Sequence, residues 1–157
     1  MAGLLTTSIL GFLWVPIAGH LSDRIGRRRM YMIGASVSGL FGFIYFALLD
    51  TRSPGLMFLA IALSLLPIMT LYGPQAALIA EVFAPRLRYS GAGLGYQLGS
   101  IIAGGPAPFI AAALFAAYHS GYAIALYILA CGIISIVAAL LLTDYTNRDI
   151  TREHEGV

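Results

Sequence analysis

The sequence predicts an all-α, polytopic transmembrane helix bundle of five spans. Three observations predict it. Hydrophobic residues make up 59% of the 157 positions and charged residues only 10%, whereas soluble domains carry about 45–50% and about 25%. Apolar runs near the roughly 20 residues that cross a bilayer recur five times along the chain. Charged and turn-forming residues are confined to the short stretches between those runs. A soluble core of this size cannot hide so much apolar surface, and exposing it to water drives aggregation. Lipid requires each segment to satisfy its own backbone polar groups, which selects helices. The runs lack the polar/apolar alternation of a transmembrane barrel.

The first span covers about residues 4–19 and the second about 30–49. The third covers about 56–80, the fourth about 89–117 and the fifth about 122–142. Spans three and four exceed the bilayer thickness, so tilt, kinks or protrusion are expected there. Pro67 and Pro74 in the third, and Pro106 and Pro108 beside Gly104 and Gly105 in the fourth, are the expected hinges. A proline removes one amide donor and bends its helix. Gly34, Ser38 and Gly42 recur every four residues in the second span, as do Gly91, Gly95 and Gly99 in the fourth. Small residues at that spacing let another backbone approach closely.

The connections fix an orientation. Arg24, Arg27, Arg28 and Arg29 fall in the first connection, Arg86 and Arg88 in the third, and Arg148 and Arg152 in the polar tail at 143–157. The second and fourth connections hold only Arg52. The positive-inside rule then puts the first group, with the C-terminus, in the cytoplasm and the N-terminus outside. The expected location is the inner, plasma membrane, crossed several times. An outside N-terminus, an apolar run from the first residues with no basic residue ahead of it, and an odd span count read as the last part of a longer chain. Met1 is then an internal methionine or a mistaken start, and the missing N-terminal helices are partners of this segment.

Several function classes are excluded. The net charge is only +2, and the basic residues are localised, which argues against nucleic-acid binding. His20, His119 and His154 lie in or beside separate polar segments, and Cys131 sits alone in an apolar run, so no metal or cofactor is expected. An intramembrane enzyme needs a catalytic Ser/His, Asp/Asp or metal cluster, and the spans contain none.

Residues 19–29 read Gly-His-Leu-Ser-Asp-Arg-Ile-Gly-Arg-Arg-Arg. Gly19 allows a helix end to lie against a neighbour. Asp23 is expected near the start of the next helix, where a carboxylate is favoured by about 0.3–1 kcal/mol. Gly26 permits a tight turn, and Arg24, Arg27 and Arg28 are available for carboxylates or lipid phosphates. On charge alone this is a loop that sets topology. Its order resembles motif A of the major facilitator superfamily, filled here by Gly19, Leu21, Asp23, Arg24, Gly26, Arg27 and Arg28. Residues 72–77 (Tyr-Gly-Pro-Gln-Ala-Ala), 81–91 and 91–108 are similar to the helix 10–11 region of the metabolite:proton symporter branch. Ala84-Pro85 departs from the Pro-Thr or Gly-Thr more usual there.

The resemblance implies helices 8–12 of a twelve-helix carrier, with this loop as the second motif-A copy. It implies secondary active transport of a small polar metabolite, an organic acid or an osmolyte such as proline or betaine, by proton symport with alternating access. It also implies a lock at the cytoplasmic ends. Asp23 would face Arg86 or Arg88, and Glu81 would pair with Arg24 or Arg27, as surface ion pairs worth about 0–1 kcal/mol. Polar residues inside spans are costly and often functional. On that ground Tyr72, Gln75, Tyr96, Gln97 and Ser100 are the substrate-pathway candidates. Asp23, Asp50, Glu81 and Asp144 all sit at span ends, so a proton-carrying acid is expected outside this segment. The competing reading is a truncated membrane protein that does not transport, or a scaffold assembled through its glycine faces.

Overall fold

The computed structural model describes residues 2–83 and 86–142. The expected tail at 143–157 and Ala84-Pro85 lie outside the described residues. Among the described residues seven α-helices follow one another: α1 (Ala2–Ile25), α2 (Arg27–Asp50), α3 (Pro54–Leu63), α4 (Leu65–Glu81), α5 (Arg88–Gly99), α6 (Ala107–Tyr118) and α7 (Gly121–Leu141). A π-helical turn, Ser100–Gly104, joins α5 to α6. Together they make five helical stretches long and apolar enough to cross a membrane, with α3–α4 forming the third and α5–α6 the fourth.

The first connection is far shorter than the sequence suggests. α1 continues past Gly19 to Ile25, and α2 begins at Arg27. Leu21 and Ile25 extend the apolar face of α1, and Arg24 in its last turn complements the negative end of the helix dipole. Gly26 alone turns the chain, at φ 107° and ψ 129°, a conformation closed to residues with a Cβ. Its N–H donates to the Ser22 carbonyl at 2.9 Å, and its own carbonyl accepts from Met30 at 3.0 Å. Asp23 therefore lies in the last turn of α1, not at the start of the next helix.

The third span breaks at Ser64. Its N–H donates to the Ile61 carbonyl at 3.2 Å and its hydroxyl to the same oxygen at 2.7 Å. Pro67, buried in the first turn of α4, has no N–H for the Leu63 carbonyl, so the helical ladder cannot run through. The break thus precedes the proline by three residues, while Pro74 is buried within an unbroken α4. In the fourth span Pro106 and Pro108 likewise withhold donors, and the Gly105 N–H bonds Ser100 at 3.2 Å, one residue further back than in an α-helix.

Close backbone approach holds the bundle together. α2 is central, packed on α4 and α7, and α1 lies against α4, α3 and α2. The buried apolar side chains are mostly alanines (Ala18, Ala35, Ala60, Ala62, Ala125 and Ala139), while Phe12 and Phe109 are 79% and 78% exposed. Small inside and large outside is the arrangement lipid favours, because tails solvate large apolar side chains as well as a core does. A Cβ on Gly34 would stand 3.0 Å from the Leu71 N of α4, and one on Gly39 3.0 Å from the Leu129 side chain of α7. The α2 small residues therefore serve two neighbours. On α5 only the first of the series is close-packed: a Cβ on Gly91 would clash with the Phe83 ring, while one on Gly95 or Gly99 meets nothing within 4 Å. None of the described residues of α5, the π turn or α6 is buried. That span meets the bundle through α4 at one end and α7 at the other.

Candidate functional site

The motif residues converge where α1, α2 and α4 end together. The single-residue turn at Gly26 places Arg27 one helical turn from Asp23, and Arg27 donates to Asp23 Oδ1 from Nη2 at 3.1 Å and from Nε at 3.2 Å. Its Nη1 donates to Oε1 of Glu81, the last residue of α4. One guanidinium thus ties three helices. Glu81 is 7% exposed, so this half of the network is shielded from water, whereas the Asp23 side chain is 58% exposed. The carboxylate sits at the negative end of the α4 dipole, where an unpaired anion is disfavoured, and Arg27 offsets this. Glu81 Oε2 is buried and has no partner among the described residues.

Arg28 turns the other way and donates through Nη2 to the Leu140 carbonyl near the end of α7. Arg88 opens α5 with its Nε and Nη2 buried and unpartnered among the described residues. Arg24 and Arg86 are exposed. Asp23 meets Arg27, and among the described residues it forms no ion pair with Arg86 or Arg88. Of the two cations expected near Glu81, Arg27 is in contact and Arg24 is not. The Gly19 neighbourhood is tight for a different reason than expected. A Cβ on Gly19 has open space, but one on Gly73 of α4 would stand 3.0 Å from both the Ala18 Cβ and the Gly19 N.

Of the polar pathway candidates, Tyr72 on α4 and Tyr96 on α5 are both exposed, at 50% and 43%. Gln75 is half-buried on α4, while Gln97 and Ser100 are exposed. Three polar anchors escaped the sequence reading. Trp14 Nε1 donates to Thr70 Oγ1 at 2.9 Å, Thr7 Oγ1 to the Ile61 carbonyl at 2.8 Å, and buried Ser22 Oγ to the Gly19 carbonyl at 2.6 Å. The signal was present: a Trp or Thr inside an apolar span needs a partner.

The family described as the Major Facilitator Superfamily matches residues 1–156. The chain is 39% identical over 138 residues to the Shikimate transporter of Escherichia coli K12, which covers 86% of this chain and 31% of that protein. It is 36% identical over 140 residues to the Inner membrane metabolite transport protein YhjE of the same organism, covering 88% and 32%. The Alpha-ketoglutarate permease of that organism is 32% identical over 115 residues, covering 72% and 27%. The chain thus spans about a third of the length of these relatives. No solved structure matches it. With the motif, the five apolar helices and these likenesses in agreement, the chain belongs to the Major Facilitator Superfamily.

Proposed function

We infer that this chain is the C-terminal part, helices 8–12, of an inner-membrane carrier that moves a small polar metabolite by proton symport. The observation that carries the reading is the Arg27 bridge, which ties Asp23 on α1 to Glu81 on α4. Such a bridge holds helix ends together in one state and releases them in another. The inward-facing end is the arginine-rich one, with the C-terminus cytoplasmic. Arg24 and Arg28 flank this latch, and Arg86 and Arg88 stand ready to take Asp23 when the ends rearrange. The breaks at Ser64 and at the π turn are the bending points, set by Pro67, Pro106 and Pro108. Pro74, buried within the unbroken α4, is not assigned a bending role.

The likeness to the shikimate and α-ketoglutarate carriers favours an organic acid over an osmolyte as solute. Tyr72 and Tyr96 are its leading contacts, with Gln75 on α4, Gln97 on α5 and Ser100 at the start of the π turn as further ones. Solute sites of such carriers form at the midplane between two halves, so this segment supplies one wall and the preceding helices the other. The described carboxylates, Asp23, Asp50 and Glu81, all stand at helix ends, and the proton-carrying acid belongs to those other helices.

The test is proton flux in vesicles holding the complete transporter. Shikimate, 2-oxoglutarate, proline and betaine are added in turn, and the internal pH is followed. An organic acid is expected to enter with acidification of the lumen. Uptake without proton movement removes the symport reading, and uptake of proline or betaine alone removes the substrate class.

A further inference from the structure

An apolar groove of about 420 Å³ runs between α1, α2 and α4, within the roughly 300–1,000 Å³ of ligand sites. Leu21 and Ile25 of α1, Ile33, Val37 and Phe41 of α2, and Leu66 of α4 line it. Its polar groups are satisfied internally, because Trp14 and Thr70 bond each other. Eleven residues separate Trp14 from Ile25 on α1, and eleven separate Met30 from Phe41 on α2. At 1.5 Å per residue the groove is roughly 16 Å long, about half of a 30 Å hydrocarbon core, hence one leaflet.

The open end of the groove carries charge. On α2 the residues at 29, 33, 37 and 41 follow one another at helical spacing on a single face. Three line the groove, and the fourth is Arg29, exposed at its end. On α1, Arg24 stands three residues beyond Leu21 on the same side and is also exposed. Neither arginine has an ion pair or hydrogen bond among the described residues, while Arg27 and Arg28 are engaged elsewhere. A leaflet-long apolar slot under two uncommitted guanidinium groups matches one ligand chemistry: an acyl chain attached to a phosphate.

We propose that this groove is a binding site for an anionic phospholipid, its chain between α1 and α2 and its phosphate on Arg24 and Arg29. Bound lipid there fills the space beside the turn that positions Arg27 and so supports the α1–α2–α4 junction. The groove's lining shares no residue with the proposed solute contacts, and the site does not depend on the transport reading.

Native mass spectrometry tests it. The complete transporter, purified in detergent, is titrated with phosphatidylglycerol and with phosphatidylcholine of equal chain length. One phosphatidylglycerol is expected to bind roughly ten-fold more tightly than phosphatidylcholine, from two interfacial arginines. The double variant Arg24→Gln with Arg29→Gln should lose that preference, and Arg24→Lys with Arg29→Lys should keep it. Val37→Trp should abolish tight binding with both arginines in place, and Arg52→Gln, in the connection between α2 and α3, should change nothing. Equal binding of the two lipids overturns the proposal. So does preference surviving Val37→Trp, which would put the headgroup on the surface alone. A groove filled by another helix gives the same null result and is likewise a refutation.

Discussion

Arg27 and Glu81 are 54 positions apart in sequence and joined through Nη1 and Oε1, with the carboxylate almost wholly shielded from water. This changes what the contact is worth. An exposed ion pair contributes about 0–1 kcal/mol, but removing one partner of a buried pair leaves an uncompensated charge at about 3–5 kcal/mol. Arg27→Gln should therefore destabilise the bundle several-fold more than Asp23→Asn, which removes only the exposed half of the network. Thermal unfolding in detergent checks it. Equal losses for the two variants would mean that Glu81 is solvated in the membrane-bound protein.

The same asymmetry separates stability from transport. Asp23→Asn should leave insertion and folding intact, because Asp23 is mostly exposed and Arg27 keeps Glu81. On the proposed gating role it should nevertheless lower solute uptake in the complete transporter, since the exposed carboxylate is the half of the network proposed to change partners. Uptake by the variant at the normal rate, with equal protein in the membrane, would remove Asp23 from the gating machinery.

The helices were legible because apolar runs and arginine placement are one-dimensional signals that lipid enforces strongly. Motif A was legible because each of its residues does a local job: Gly26 the turn, Arg27 the reach back to Asp23. Three things were hidden. The length of α1 was, since a polar stretch such as His20 to Arg24 is a loop by composition and a helix once it protrudes past the lipid. The burial of Glu81 was, because it depends on how α4 meets α1 and α2. The placement of the α3–α4 break was also hidden: Pro67 announces a disturbance, but the lost bond falls on the carbonyl four residues earlier.

Glycine positions offer a graded check. Gly26→Ala puts a Cβ on a backbone at φ 107° and should cost about 1–3 kcal/mol. Gly73→Ala drives a methyl to 3.0 Å from Ala18 and Gly19, overpacking worth about 1–3 kcal/mol. Gly95→Ala meets open space and should be neutral or gain up to about 1 kcal/mol from helix propensity. The order of unfolding temperatures in detergent reads this out. A Gly95→Ala loss as large as that of Gly73→Ala would show that the α5 face is packed against another helix in solution.

Orientation is the remaining expectation with a direct measurement. Eight of the nine arginines fall in the sequence of the first and third connections and the tail, and Arg52 alone in the second. Moving that many guanidinium groups across a bilayer during insertion is far costlier than moving one, so the connections at Gly26 and at residues 82–87 should face the cytoplasm. Cys131 lies mid-span in α7 and is replaced by alanine to give a silent background. A cysteine at Ser120, the N-cap of α7, should then react with a membrane-impermeant maleimide in intact cells. A cysteine at Arg29 should react only after permeabilisation. The reverse pattern would invert the bundle, and with it the assignment of the Arg27 network to the inner gate. Labelling of both from outside would show that the chain does not cross the membrane in the way its arginines require.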